Sequence, residues 1–118
     1  MPRSLQAYLW DMQHAANQIF RFCEGKQLSD YEGDSMLRAA VERNFEIIGE
    51  ALAQAQRFFP EIIGRVSSEQ QIIAFRNRLI HGYATVRPAL VWDIVQAHLP
   101  ELQRQIAELL REFDSIER

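Results

Sequence analysis

Residues 35–58 have the sequence SMLRAAVERNFEIIGEALAQAQRF, and this stretch decides the fold. Its apolar side chains recur every three or four residues, which places them on one face of a helix at about 100° per residue. Asp34 is suitable as an N-cap, so we predict a helix from Ser35 to Phe58. The apolar surface is wider than one packing partner requires, which favours a second contact such as a dimer interface. The central stripe consists of Leu37, Val41, Phe45, Ile48, Leu52 and Ala55.

Two further features of this helix are a glycine in its interior and a row of glutamates. Gly49 lies in its interior, where glycine costs about 1 kcal/mol relative to alanine. It marks either a close approach of another backbone or a tolerated defect. Glu42, Glu46 and Glu50 recur at four-residue spacing away from the apolar stripe. Their spacing predicts a solvated acidic face.

Helical spacing continues through nearly all of the remaining chain, without a repeat or a convincing strand pattern. A first helix is predicted from Ser4 to Glu24, and Gly25 supplies its stop. A polar connector, GKQLSDYEGD at residues 25–34, then leads to the second helix.

The C-terminal half predicts two further long helices. Ser67 and Gln70 have the spacing of a capping box, so the third helix begins at Ser67, and Gly82 ends it. Pro88 suits the first position of a fourth helix. Pro100 is expected to break or kink that helix before a last amphipathic segment.

Length and composition fit a single helical domain. The chain has 118 residues, of which 47% are hydrophobic and 25% charged, as in ordinary globular proteins. We therefore predict one all-α domain over residues 1–118, an up-and-down bundle of four to five helices that dimerises through its helices.

Several classes of protein are disfavoured by the sequence. No run approaches the roughly 18 apolar residues of a membrane span, and the start MPRSLQAYLW lacks the apolar region of a signal peptide. We expect a cytoplasmic protein without membrane contact. With one cysteine, Cys23, and no histidine spacing typical of a metal site, we expect no metal and no cofactor.

The charge is unevenly distributed. The whole chain carries −3, so it is no general nucleic-acid binder. Residues 57–87 contain five arginines and only two acids, a local net charge of +3. Such a basic region in an acidic protein is compatible with a ligand that carries phosphate.

The two arginines of RNRLIHGY, residues 76–83, fall on different sides of the third predicted helix. The apolar arc of this helix consists of Ile72, Ile73, Phe75, Leu79 and Ile80. With Ile72 at 0°, Arg78 falls at about 240°, on the polar side, whereas Arg76 falls at about 40°, inside the apolar arc. A guanidinium in that position must be paired or hydrogen-bonded. Arg76 therefore forms either a buried ion pair with an acid of the first or second helix, or a phosphate site between helices.

His81 also has two interpretations. A protonated histidine at a helix C-terminus is stabilised by the helix dipole, and an imidazole can exchange a proton near neutral pH. On an ideal helix Arg76 and His81 diverge by about 140°, so one straight helix does not direct both at one atom. Either the helix unwinds at residues 81–82, or two copies of it face each other across a shared cleft.

At these residues the sequence resembles a known family. Arg76, His81 and Tyr83 match the Arg-x-x-x-x-His-x-Tyr motif of the HepT-like toxins in the HEPN superfamily. The likeness covers nearly the whole chain in the right order: AVERNFEIIGEAL at 40–52, FRNRLIHGY at 75–83, and LVWDIV with HLPEL within 90–102.

The resemblance implies a dimeric ribonuclease toxin of a type VII-like pair. Its partner would be an MNT-type nucleotidyltransferase antitoxin, which uses ATP and can transfer AMP to the motif tyrosine, here Tyr83. The resemblance also implies that the motif arginine and histidine of two protomers meet at the dimer cleft.

A mechanism follows as a hypothesis. His81 would be general base for a ribose 2′-hydroxyl or general acid for the 5′-oxygen, its twin taking the other role, and Arg76 would stabilise the phosphorane. Asn77 would orient the imidazole or a phosphate oxygen. Arg78 is a candidate RNA contact, and Tyr83 is either modified by AMP, in contact with RNA, or a packing residue.

Two alternatives to the toxin remain at this stage. One is a non-catalytic HEPN-type module that binds a nucleotide or a nucleotidyltransferase partner. The other is a purely structural helical dimer.

Overall fold

The computed structural model describes the backbone of residues 3–117 and the side chains of residues 3–113, that of Tyr83 excepted. Regular structure within this range is entirely helical, which confirms the predicted all-α class. A 3₁₀ turn at Tyr83–Thr85 follows the fifth helix, and a π-helical segment at Ile94–His98 joins the sixth to the seventh. The α-helices are α1 (Leu5–Cys23), α2 (Leu28–Gly33), α3 (Ser35–Phe58), α4 (Pro60–Ile63), α5 (Glu69–His81), α6 (Pro88–Asp93) and α7 (Leu99–Glu117).

The central element of the bundle is α3. Helix α1 packs along one side of α3, α5 packs along another side, and α7 packs against α1. The apolar stripes of α1, α3 and α7 meet in a core whose central side chains are 0% exposed. These side chains are Leu9, Met12, Ile19, Val41, Phe45, Ile48, Leu52, Leu99, Leu102 and Ile106.

The boundaries of α1 and α3 agree with the prediction to within one residue, because the caps at their N-termini are local. The Ser4 side chain accepts a hydrogen bond from the amide of Ala7, 3.1 Å away. Asp34 Oδ1 accepts one from the amide of Leu37 at 3.0 Å. Each bond satisfies a free donor at the start of a helix. Beyond α1, Gly25 adopts φ +72°, a conformation that glycine allows at low cost.

The sequence predicts a polar connector at residues 25–34, but the structure has the short helix α2 there. The amide of Gln27 donates to Asp30 Oδ2 at 2.8 Å and so completes a capping box. Tyr31 is 0% exposed and packs edge-on against Trp92, with ring centroids 5.6 Å apart. Burial of this one large side chain holds α2 on the bundle.

The predicted capping box at residues 67–70 is wrong. Helix α5 begins at Glu69, and its N-cap is Ser68, whose side chain makes no capping bond. Ser67 instead contacts α7: its amide donates to Gln105 Oε1 at 3.2 Å, and Gln105 Nε2 donates to its hydroxyl at 3.1 Å. The Ser67 side chain, which the local pattern assigns to a helix cap, therefore forms a tertiary contact instead.

Pro88 begins α6 as predicted, but Pro100 does not break the fourth predicted helix. Helical backbone continues through Ile94–His98 as a π segment, in which the amide of Leu99 donates to the carbonyl of Ile94. A widened turn accommodates a proline ring that would otherwise collide with the preceding turn. Where the sequence predicts a break, the structure therefore has continuous helical backbone with a π-helical segment.

No helix within the described residues is both long and apolar enough to cross a membrane.

Candidate active site on helix α5

Helix α5 presents two different surfaces. Ile72, Phe75 and Leu79 are buried in the core, as the predicted apolar arc requires. On the outer side Asn77, Arg78 and His81 are exposed. Ile80 departs from the prediction: it was assigned to the apolar arc, yet it is 42% exposed beside His81. The outer surface thus combines the polar motif residues with an uncovered aliphatic side chain.

Arg76 lies on the side of α5 that faces α3, directly over Gly49. A Cβ atom built on Gly49 would lie 2.7 Å from Arg76 Cγ and closer still to Arg76 Cβ. It would also lie 3.4 Å from the carbonyl oxygen of Ile72. Of the two interpretations of Gly49, the close approach is therefore the observed one. The absence of a side chain at this point brings α5 against α3.

The guanidinium of Arg76 is paired with the next residue of α3. Arg76 Nη1 donates to Glu50 Oε2 at 2.7 Å, and the two side chains are 19% and 52% exposed respectively. An acid of the second predicted helix, Glu50, thus pairs with Arg76, although the pair is only partly buried. Glu50 is consequently more than part of a solvated acidic face. Arg76 Nε is buried and has no hydrogen-bond partner among the described residues.

A network of short-range bonds fixes the end of α5 beside His81. The amide of Gly82 donates to the carbonyl of Arg78 at 2.7 Å, which confirms Gly82 as the stop. Thr85 donates from its hydroxyl to the carbonyl of Gly82 at 2.8 Å. Arg78 Nη2 donates to the carbonyl of Thr85 at 3.2 Å. Arg78 is exposed as predicted, and it also holds the turn that follows His81.

The structure does not bring Arg76 and His81 together within one chain. Helix α5 is regular through His81 and leaves the helical conformation only at Gly82, so His81 keeps the side-chain direction of a straight helix. Arg76 faces α3, whereas His81 is exposed on the outer side. The other arrangement considered from the sequence, two copies of α5 that face each other, stays a prediction.

The basic character of residues 57–87 is partly compensated in the fold. Arg65 Nη2 pairs with Glu112 Oε2 at 2.7 Å, and Arg76 pairs with Glu50. Both acids lie outside this segment, so the local charge of +3 overstates the field at the surface. Arg57 places its guanidinium carbon 5.5 Å from the ring centroid of Phe58.

Two further predictions concern Tyr83 and metal binding. The backbone of Tyr83 forms the 3₁₀ turn after α5, but its side chain lies outside the described residues. Among the side chains that the structure describes, no three of His, Cys, Asp and Glu are grouped so as to hold a metal ion.

Comparison with known proteins supplies the class of protein. The family model described as "Ribonuclease HepT-like" matches residues 12–62 and 66–109. The chain therefore belongs to the HepT-like ribonuclease family, which confirms the resemblance found in the sequence. The matched residues include Gly49, Glu50, Arg76 and His81.

Individual relatives match over most of their length. A protein of Thermococcus cleftensis named "Probable ribonuclease HepT" is 32% identical over 113 residues, covering 92% of this chain and 98% of its own. One of Methanocaldococcus jannaschii named "Putative RNase MJ1380" is 31% identical over 104 residues, covering 88% and 94%. No solved structure matches significantly.

The close approach at Gly49 gives a prediction about stability. We expect Gly49→Ala to destabilise the protein by about 1–3 kcal/mol, because the new methyl group collides with Arg76. This loss should exceed the gain of about 1 kcal/mol that alanine brings to a helix interior. The measurement is urea unfolding followed by circular dichroism.

Gly33→Ala is the matched control, since a Cβ at Gly33 would meet nothing within 4 Å. An equal or greater stability of Gly49→Ala would contradict the close contact between α3 and α5.

Proposed function

We propose that this chain is a metal-independent endoribonuclease that acts as a homodimer, the toxin of a HEPN/MNT pair. Family membership supports the ribonuclease class. The divergence of Arg76 and His81 on a regular helix supports the dimer, because a second copy is needed to direct both groups at one phosphate. Ile80 is exposed beside His81 on the outer surface of α5, where it would supply an apolar contact to a second copy.

The proposed reaction is transesterification within RNA. A ribose 2′-oxygen attacks the adjacent phosphorus, and the bond from phosphorus to the 5′-oxygen breaks. His81 accepts the proton of the 2′-hydroxyl, and the partner's His81 donates a proton to the departing 5′-oxygen. The products are a 2′,3′-cyclic phosphate and a 5′-hydroxyl, so no water or cofactor is consumed.

Arg76 has the electrostatic role in this scheme. Negative charge grows on the non-bridging oxygens as the phosphorane forms, and a guanidinium fixed beforehand stabilises that charge without reorganisation. Asn77 precedes His81 by four residues on the same exposed surface, where it would orient the imidazole or a phosphate oxygen. Arg78 is exposed next to it and would contact the RNA backbone.

The proposed partner is an MNT-type nucleotidyltransferase that neutralises the toxin. It would transfer AMP from ATP to the hydroxyl of Tyr83, with release of pyrophosphate. The backbone of Tyr83 lies two residues after His81 in the turn that closes α5. An AMP group attached there would place a bulky anion beside the site and repel RNA.

Exchange of subunits between wild type and an inactive variant tests the shared site. His81→Ala should abolish RNA cleavage, and its heterodimer with wild type should also be inactive, because the proposed reaction takes one histidine from each chain. Random exchange of equal amounts leaves about a quarter of the dimers as wild-type homodimers, so about a quarter of the rate of wild type alone is expected, against about half if each chain held a complete site. Cleavage of a fluorescent RNA measures the rate.

The control is the same mixture of wild type and His81→Ala measured before their subunits have exchanged, which should keep about half of the rate of wild type alone. A mixture that still keeps half of that rate after exchange would contradict a site shared between chains. Wild-type protein without cleavage activity would instead favour the non-catalytic HEPN-type module.

Tyr83→Phe tests the regulatory residue. This variant should still cleave RNA but should escape covalent neutralisation by the antitoxin, because phenylalanine has no hydroxyl to accept AMP. Intact mass after incubation with antitoxin and ATP should increase by one AMP for wild type only. Neutralisation of Tyr83→Phe that still depends on ATP would contradict the proposal.

A further inference from the structure

Two consecutive residues of α3 contact both ends of the Arg76 side chain. Gly49 lies under its Cβ and Cγ atoms, and Glu50 accepts a hydrogen bond from Nη1 at 2.7 Å. The base and the tip of a long, flexible side chain are therefore held by one turn of a neighbouring helix. We call Gly49 and Glu50 the arginine seat.

The arginine seat uses only part of the hydrogen-bonding capacity of the guanidinium. An arginine has five N–H donors, and the bond to Glu50 engages Nη1. Nε is buried without an acceptor among the described residues. The Arg76 side chain is 19% exposed, so its tip is within reach of a ligand.

We propose that Glu50 is a positioning residue, which holds Arg76 through Nη1 so that the Nη2 donors are presented to the scissile phosphate. This inference rests on the proposed ribonuclease function. Glu50 itself does not contact the reacting atoms. It acts through Arg76, in the way that a carboxylate orients a charged group in other preorganised sites.

Electrostatics favour positioning over stabilisation of the fold. The Glu50 side chain is 52% exposed, and an ion pair at such a surface contributes little to stability. A carboxylate beside a phosphate-binding arginine also weakens the attraction for an anion. The carboxylate therefore weakens RNA binding. Its benefit lies in the fixed orientation that it gives to the guanidinium of Arg76. A misplacement of about 1 Å can reduce a rate by about 100-fold.

Two substitutions separate geometry from charge. Glu50→Gln removes the charge but keeps an oxygen that accepts from Nη1, so we expect its kcat to stay within about threefold of wild type. Glu50→Ala removes the acceptor, and we expect kcat to fall about 10- to 100-fold without a rise in KM. Both parameters are measured with a short RNA substrate. Separate thermal denaturation curves establish beforehand that each variant is folded.

Glu112→Ala is the matched control. It removes the acid of another tertiary ion pair of the same length, 2.7 Å, in which Arg65 and Glu112 are 52% and 44% exposed. We expect this variant to keep the wild-type kcat and KM. Unchanged kcat in Glu50→Ala would overturn the inference, since Glu50 would then merely compete with phosphate.

A measurement without RNA distinguishes failure of this inference from failure of the proposed function. The buried Nε–H of Arg76 should give a slowly exchanging resonance in a nitrogen–proton NMR spectrum, identified by its loss in Arg76→Lys. It should broaden in Glu50→Ala but not in Glu112→Ala. An unchanged resonance in Glu50→Ala would contradict the positioning role whether or not the protein cleaves RNA.

Discussion

The contact between Gly49 of α3 and Arg76 of α5 is the constraint on which the site depends. With no Cβ at Gly49, the two helices approach until the first side-chain atoms of Arg76 lie on the α3 backbone. That separation lets the next residue, Glu50, reach the guanidinium. Any larger residue at position 49 would separate the helices and draw the acid away from the arginine.

This constraint also determines how the two motif residues are used. Arg76 is held against α3, and α5 stays regular through His81, so the imidazole remains on the outer surface. One chain therefore holds the guanidinium on the side of α5 that faces α3 and the imidazole on another side. The proposal that two chains share the active site rests on this separation.

Much of the fold could be predicted because the controlling interactions are local. The stripes of α1 and α3 and the caps at Ser4 and Asp34 depend on residues within one turn of each other. The start of α5 was mispredicted because Ser67 bonds to Gln105 of α7. Nothing near Pro100 in sequence indicates that a π turn will accommodate it.

The candidate site, like the fold, could be predicted only in part. The inward direction of Arg76 followed from helical periodicity, and its need for an acid followed from the cost of an isolated buried charge. Which acid it meets did not follow, because Glu42, Glu46 and Glu50 are equivalent in spacing. The choice among them depends on how far α5 slides along α3. Gly49 carried the signal: its lack of a side chain marked the crossing point, and Glu50 is its neighbour.

The most direct test of the account is the chemical nature of the RNA ends. Purified wild-type protein would be incubated with a defined RNA in EDTA, with His81→Ala in parallel, and the fragments analysed by mass spectrometry. The account predicts 2′,3′-cyclic phosphates and 5′-hydroxyls from wild type, and no fragments from the variant. Fragments with 3′-hydroxyl ends, or the same fragments from His81→Ala, would contradict it.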